Sequence, residues 1–231
     1  MTSRFNNLAQ VKIIGWCCCF IFFVRLCNAQ ENDAGLWAGV NVEKKITSKW
    51  SARLTEELRF NENISELGTA YTEIGMDYRF YKFVSLGVSY RFSQKRKVND
   101  IYSLRHRYNI DLSLKHKFKK ISVSLRERFQ TQYTDVNTSE DGKVAERYLR
   151  NKLTLKYDLG KKYTPYFYTE WFYQLYNPEG NELDNVRYGA GFDYEISKFM
   201  SLEFYYLINK ELHVKNPLTS FISGVEFTYS F

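Results

Sequence analysis

Past Ala29 the chain has no cysteine, because Cys17, Cys18, Cys19 and Cys27 all precede it. That absence excludes disulfide staples and thiol chemistry from everything downstream. The three histidines, His106, His116 and His213, are scattered, and with no cysteine beside them they offer no metal-ligand spacing. Glycine-rich phosphate loops are missing too: Gly189 and Gly191 occupy strand positions beside bulky neighbours. Only 3 prolines occur, and no window past the first thirty residues carries an i, i+3, i+4, i+7 apolar stripe, which excludes an amphipathic helical fold. Excess charge is also slight. Once Arg4, Lys12 and Arg25 are set aside with the first 29 residues, 30 basic groups face 26 acidic ones, which argues against a nucleic-acid partner.

The first 29 residues read as a cleaved export signal. Arg4 and Lys12 form a basic start, IIGWCCCFIFFV (13–24) an apolar run, and Cys27-Asn28-Ala29 a small-x-small cleavage site. The apolar run falls short of the ~20 residues of a spanning helix. A lipid-anchoring reading of Cys27 is opposed by Leu26, which stands where a small residue is required. The expected organisation is a signal over 1–29 and one domain over 30–231.

What the domain has in abundance is rings, 19 Tyr, 18 Phe and 4 Trp in the whole chain, yet the mean hydropathy of the whole chain is −0.46. The rings recur at every second position. In VSLGVSYRFS (84–93), Val84, Leu86, Val88, Tyr90 and Phe92 share one face, while Ser85, Gly87, Ser89, Arg91 and Ser93 share the other. The same alternation runs through 101–118 and 186–196, and period two over such lengths means strand. Short lysine-bearing turns (47–49, 81–82, 119–120, 160–162, 197–198) alternate with longer polar connections (61–66, 94–100, 135–144, 177–185, 212–219), so a hairpin is the repeating unit. Apolar and charged faces, with short turns on one rim and long loops on the other, predict an all-β antiparallel transmembrane barrel. A soluble sandwich also alternates, but it would bury its ring-rich face.

Eleven strands are expected, at 34–46, 50–60, 67–80, 84–94, 101–118, 121–134, 145–158, 164–176, 185–196, 200–211 and 220–231. Since single-chain barrels usually hold an even number, the count stays open between ten (the first segment tucked at a rim), twelve (one strand missed) and eleven with a parallel closure. GVEFTYSF (224–231) is expected to close the barrel, with Phe227, Tyr229 and Phe231 on the lipid face. Its alternate aromatics and terminal Phe resemble the C-terminal signal read by the barrel-assembly machinery.

Three runs, TEIGMDYRFYKFVSLGVSYRFSQKRK (72–97), RHRYNIDLSLKHK (105–117) and RNKLTLKYDL (150–159), resemble the domain-of-unknown-function 2490 family of Bacteroidetes outer-membrane proteins. The resemblance implies an outer-membrane barrel of a Gram-negative bacterium and supplies no catalytic residues, metal or cofactor.

Parity assigns the lumen. A basic arc of Arg79, Arg91, Arg105, Arg107, Lys115, Arg126 and Arg128 is expected to face an acidic wall of Glu170, Asp193, Glu195, Glu203 and Glu226. Such walls would either orient small polar or acidic solutes in a pore or pair across a narrow barrel and plug it as a scaffold. Six polar residues fall on the lipid face: Glu56, His106, His116, Glu127, Asn151 and Ser223. For the two glutamates a bulge or a place near the strand end would account for this. A lipid-modifying enzyme using His106 and Ser223 is the alternative, but no motif surrounds either residue. The run Lys95-Arg96-Lys97 reads as a solvated outer loop that could touch lipopolysaccharide phosphates.

Overall fold

The computed structural model describes residues 31–97, 99–134, 145–177, 180–214 and 216–231. The leader read over 1–29, the 135–144 loop and Pro178 lie outside the described residues.

The eleven strands are β1 Glu31–Lys45, β2 Trp50–Asn61, β3 Glu66–Tyr81, β4 Val84–Arg96, β5 Tyr102–Phe118, β6 Ile121–Thr134, β7 Glu146–Tyr157, β8 Tyr163–Leu175, β9 Glu182–Glu195, β10 Met200–Glu211 and β11 Leu218–Ser230. All follow one another as antiparallel hairpins, and the sheet closes through β1 and β11. A meander with an odd number of strands brings its first and last strands together pointing the same way. Gly35 accordingly lies beside Ile222, Gly39 beside Glu226, and Lys45 N–H donates to the Phe231 carbonyl at 2.9 Å, so both numbers rise together along the seam. The parallel closure is therefore the right one of the three sequence expectations. The segment LWAGVNVEKK is a full strand, not a flap at a rim.

Short turns (46–49, 82–83, 119–120, 158–162, 196–199) gather at one end of the barrel, here called the turn end, and the longer connections at the other, the loop end. In the 158–162 turn the Asp158 carboxylate accepts from Lys117 Nζ at 2.8 Å and from Gly160 N–H at 2.9 Å, and both bonds hold its pKa below the usual range. Gly160 takes φ +68°, the left-handed conformation that glycine adopts without a Cβ clash.

The outer face is a continuous apolar surface. One cross-strand row runs Met76, Val88, Ile110, Phe129, Leu149, each side chain the register partner of the next. Val88 and Ile110 are each 52% exposed. Rings flank this band at both ends. Near the turn end Tyr78 packs edge to face on Phe80 and tilted against Trp50, and Tyr163 with Tyr194 and Tyr229 with Phe231 form further tilted pairs. Tyr90, Tyr108 and Tyr133 form a similar group toward the loop end.

The inside is polar on one half and ring-lined on the other. Tyr166, Tyr168, Leu207 and Ile222 form a buried cluster on β8, β10 and β11, with Trp37 of β1 and Tyr205 of β10 packed against it. Glycines make room for these rings. Tyr205 lies over Gly224, where a Cβ would sit 2.0 Å from its ring, and Tyr168 lies over Gly189 at 2.3 Å. The strand glycines of β9 and β11 are thus seats for lumen tyrosines in the adjacent strands.

Candidate functional site

The lumen encloses a cavity of about 550 Å³. Its lining is strongly two-sided. Strands β4 to β7 contribute Arg91, Lys95, Arg105, Arg107, Arg126, Arg128, Arg150 and Lys152, with Glu146 as the carboxylate among them. Strands β8 to β11, with β1 and β2, contribute most of the rings together with Glu170, Asp184, Glu203, Glu226 and Glu57, and two cations, Arg59 and Arg187. Cation density on neighbouring strands is high enough that like charges oppose one another directly. Arg91 is the register partner of Arg107, Arg126 of Lys152, and Arg128 of Arg150. Such pairs destabilise a sheet unless something between them carries the opposite charge.

For most of these cations the compensation is visible. Glu170, only 2% exposed, receives Arg126 at 2.7 Å, Arg150 at 2.8 Å and Arg187 at 3.6 Å, binding β6, β7, β8 and β9 into one network. Arg128 forks onto both oxygens of Asp111 at 2.7 and 2.6 Å. Arg91 pairs with Glu73 at 2.7 Å and Arg59 with Glu57 at 2.5 Å. Rings supply the rest. The Arg91 guanidinium lies 3.6 Å from the Tyr71 centroid, Arg59 3.7 Å from Trp37, Arg150 4.3 Å from Phe172, and Lys152 3.8 Å from Tyr168. These are cation–π contacts in a partly dehydrated setting, where they count for most. All the carboxylate pairs join near neighbours around the wall. The direct pairing across the lumen that would plug it is not what the described residues make.

Three cations differ. Among the described residues lining the cavity, Lys95, Arg105 and Arg107 have neither a carboxylate within ion-pair distance nor a ring beneath them; Arg107 is held by Gln132 Oε1 at 3.0 and 2.6 Å. They sit on β4 and β5 toward the loop end. At the turn end an acidic row runs Asp193, Glu203, Glu226 across β9, β10 and β11, as successive register partners. Asp193 is paired with Lys156 at 2.6 Å, whereas Glu203 accepts from the Tyr166 hydroxyl and Glu226 from the Asn41 amide. The cations without a carboxylate partner and this acidic row thus stand toward opposite ends of the lumen.

Of the residues read from sequence as the basic arc, Arg91, Arg105, Arg107, Arg126 and Arg128 line this cavity. Arg79 and Lys115 do not. Their parity points inward, but they stand within the last four positions of their strands and are exposed at the turn end. Of the acidic wall, Glu170, Glu203 and Glu226 line the cavity, while Asp193 and Glu195 lie below it toward the turn end. Lys95 and Arg96 are not loop residues. Both belong to β4, and they alternate: Lys95 enters the lumen and Arg96 turns outward to Glu62, Glu66 and Asp100.

The outward polar residues are where parity put them. Glu56 and Glu127 both occupy the middle of uninterrupted strands. Register shifts fall at Arg59/Phe60, Arg79/Tyr81 and Phe172/Tyr173, and none re-aims either glutamate. The bulge and strand-end explanations both fail. Glu56 accepts from the Thr72 hydroxyl at 2.9 Å, and Glu127 stands opposite Asn151. His106 is hydrogen bonded to the Tyr90 hydroxyl at 2.7 Å within the loop-end rings. Ser223 is on β11, five strands around the closed barrel from β5, so His106 and Ser223 cannot act on one substrate atom. Phe227 and Tyr229 fall on the outer face of β11, and Phe231 directly follows the strand, tilted against Tyr229 with Lys44 5.1 Å from its ring centroid.

A sequence-family model described as a protein of unknown function, DUF2490, matches residues 34–216, from β1 to the connection before β11. A solved structure of the NanC porin in a rhombohedral crystal form aligns with a TM-score of 0.48 and 12% identity, covering 76% of this chain and 85% of that one. No curated protein matches the chain. Matched over most of its length, this closed eleven-stranded barrel belongs to the DUF2490 family.

Proposed function

We propose that the protein is a porin-like barrel of the outer membrane of a Gram-negative bacterium, and that its lumen passes small polar solutes with a preference for anions. One observation carries the reading: a cavity of about 550 Å³ whose β4 to β7 wall is cationic and whose ion pairs run around the wall, not across the lumen. Eleven strands lie between the eight of barrels filled by side chains and the sixteen of open porins, a size suited to small solutes. The apolar outer band with rings at both ends supports placement in a bilayer, because backbone groups in hydrocarbon require closed pairing and Tyr and Trp favour the interfaces. The export signal read over 1–29 and the outward aromatics Phe227 and Tyr229 of β11 fit delivery by the barrel-assembly machinery. The domain's solvent on the outside is then membrane lipid, and its role is passage without catalysis or cofactor.

Proteoliposome swelling tests the reading. Vesicles carrying the folded barrel should admit a monocarboxylic sugar acid faster than a neutral sugar of the same size. Equal exclusion of both by a fully folded barrel would count against passage.

Placement in lipid has its own consequence at Glu127. A carboxyl facing hydrocarbon at mid-strand is unfavourable, though less so than the about 2–4 kcal/mol of a buried-depth Arg or Lys. Glu127→Leu is expected to raise unfolding stability in lipid vesicles by about 1–2 kcal/mol. A loss of stability would mean that the carboxylate has a partner in the membrane.

A further inference from the structure

A small side cavity of about 130 Å³ opens beside the main one near the loop end, lined by Arg59, Thr69, Tyr71, Arg91, Ser93, Lys95, Arg105 and Arg107. Every charged residue in that lining is a cation. Arg59 and Arg91 are neutralised from outside it by Glu57 and Glu73. Lys95, Arg105 and Arg107 have no carboxylate within ion-pair distance among the described residues, and Arg107 also faces Arg91 as its register partner. Arg105 Nε is buried with no hydrogen-bond acceptor. A buried guanidinium nitrogen without an acceptor is an expense that folded proteins rarely leave standing. Three unmatched positive charges, an orphaned donor and two hydroxyls converge on a space large enough for a single oxyanion.

We propose that this side cavity is a binding site for one multiply charged oxyanion of the phosphate-ester class, held by Arg105, Arg107 and Lys95, with Ser93 and Thr69 as neutral donors. Guanidinium groups match the tetrahedral oxygens of phosphate in paired hydrogen bonds, and three unmatched cations favour a dianion over a monocarboxylate. The site deepens the anion preference proposed above, but binding does not require passage.

The test uses the full barrel in detergent micelles and inorganic phosphate as probe. Titration calorimetry should show one site, with phosphate bound at least tenfold tighter than glucuronate, and phosphate should raise the thermal midpoint. In Arg105→Gln with Arg107→Gln, phosphate affinity should fall at least tenfold. The thermal midpoint without phosphate should be equal or higher, because the Arg91–Arg107 repulsion is gone; this also shows that the variant folds. Arg79→Gln with Lys115→Gln removes the same charge at the turn end and should leave affinity within twofold. Absence of saturable phosphate binding, an equal loss in the Arg79/Lys115 variant, or tighter binding of glucuronate would each overturn the proposal. A barrel that binds phosphate but passes no solute would refute the passage reading and leave the site standing. A barrel that passes anions without saturable binding would do the reverse.

Discussion

Glu170→Gln is expected to remove about 3–5 kcal/mol from the stability of the barrel. The carboxylate is 2% exposed and meets Arg126, Arg150 and Arg187 on three different strands. Three guanidinium groups would then share a neutral amide that is itself almost wholly buried. Arg126 already opposes Lys152, and Arg150 opposes Arg128, in the sheet register. The loss of the one acid at their centre thus exposes several like-charge contacts at once. Breaking a buried pair from one side is the costly change, since the remaining charge keeps its desolvation penalty. Replacing both sides is milder: Glu170→Gln combined with Arg150→Gln should recover a part of the loss, and the double-mutant cycle should show strong coupling. Denaturant unfolding in micelles, followed by fluorescence of Trp37, Trp50 and Trp171, is the measurement. A Glu170→Gln barrel as stable as the parent would mean that the arginines do not depend on this carboxylate.

The second large effect concerns the unmatched cations. Arg105→Glu with Arg107→Glu changes the lumen charge by four units at its loop-end wall. At about 10 Å in a water-like dielectric, four charge units acting on a passing monovalent ion amount to about 1.7 kcal/mol, and each 1.4 kcal/mol is a factor of ten. The preference for a sugar acid over a neutral sugar in vesicle swelling should therefore fall by about tenfold or more, and invert at low salt, where screening is weakest. Charge reversal that leaves the ratio unchanged would place the path of solutes away from β4 and β5.

Much of this architecture was legible in the residues. Each observed strand overlaps its expected span, because period-two alternation of rings and charges survives along every one of them, and the lysine turns mark where it stops. Face assignment followed from the same parity, so Arg91, Arg105, Arg107, Arg126, Arg128, Glu170, Glu203 and Glu226 all reach the lumen. Parity does not give height. Arg79, Lys115, Asp193 and Glu195 have inward parity, yet they sit near the turn end, because a strand's stagger relative to its neighbours is set by closure. Nor does parity give partners. Glu170 binds arginines from strands on both sides, and nothing local to TEWFY distinguishes it from Glu195. The lumen rings Trp37, Tyr71, Tyr166, Tyr168 and Tyr205 share the parity of inward acids on their own strands, Glu43, Glu73, Glu170 and Glu203, so the same rule places them inside; treating rings as a lipid-facing signal is what obscures them. The glycines opposite three of them, at 189, 191 and 224, are the local signal that could have placed those tyrosines inside. β4 runs past its expected end at residue 94 to include Lys95 and Arg96, because a run of charges looks like loop, whereas in a barrel wall alternate charges can belong to opposite faces.

The most direct test of the central claim is single-channel recording of the folded wild-type barrel in a planar bilayer under a potassium chloride gradient. An open lumen walled by the cations of β4 to β7 should give discrete conductance steps and a reversal potential displaced toward chloride. A barrel shown to be folded by its heat-dependent mobility that gave no steps, or one whose reversal potential favoured potassium, would contradict it.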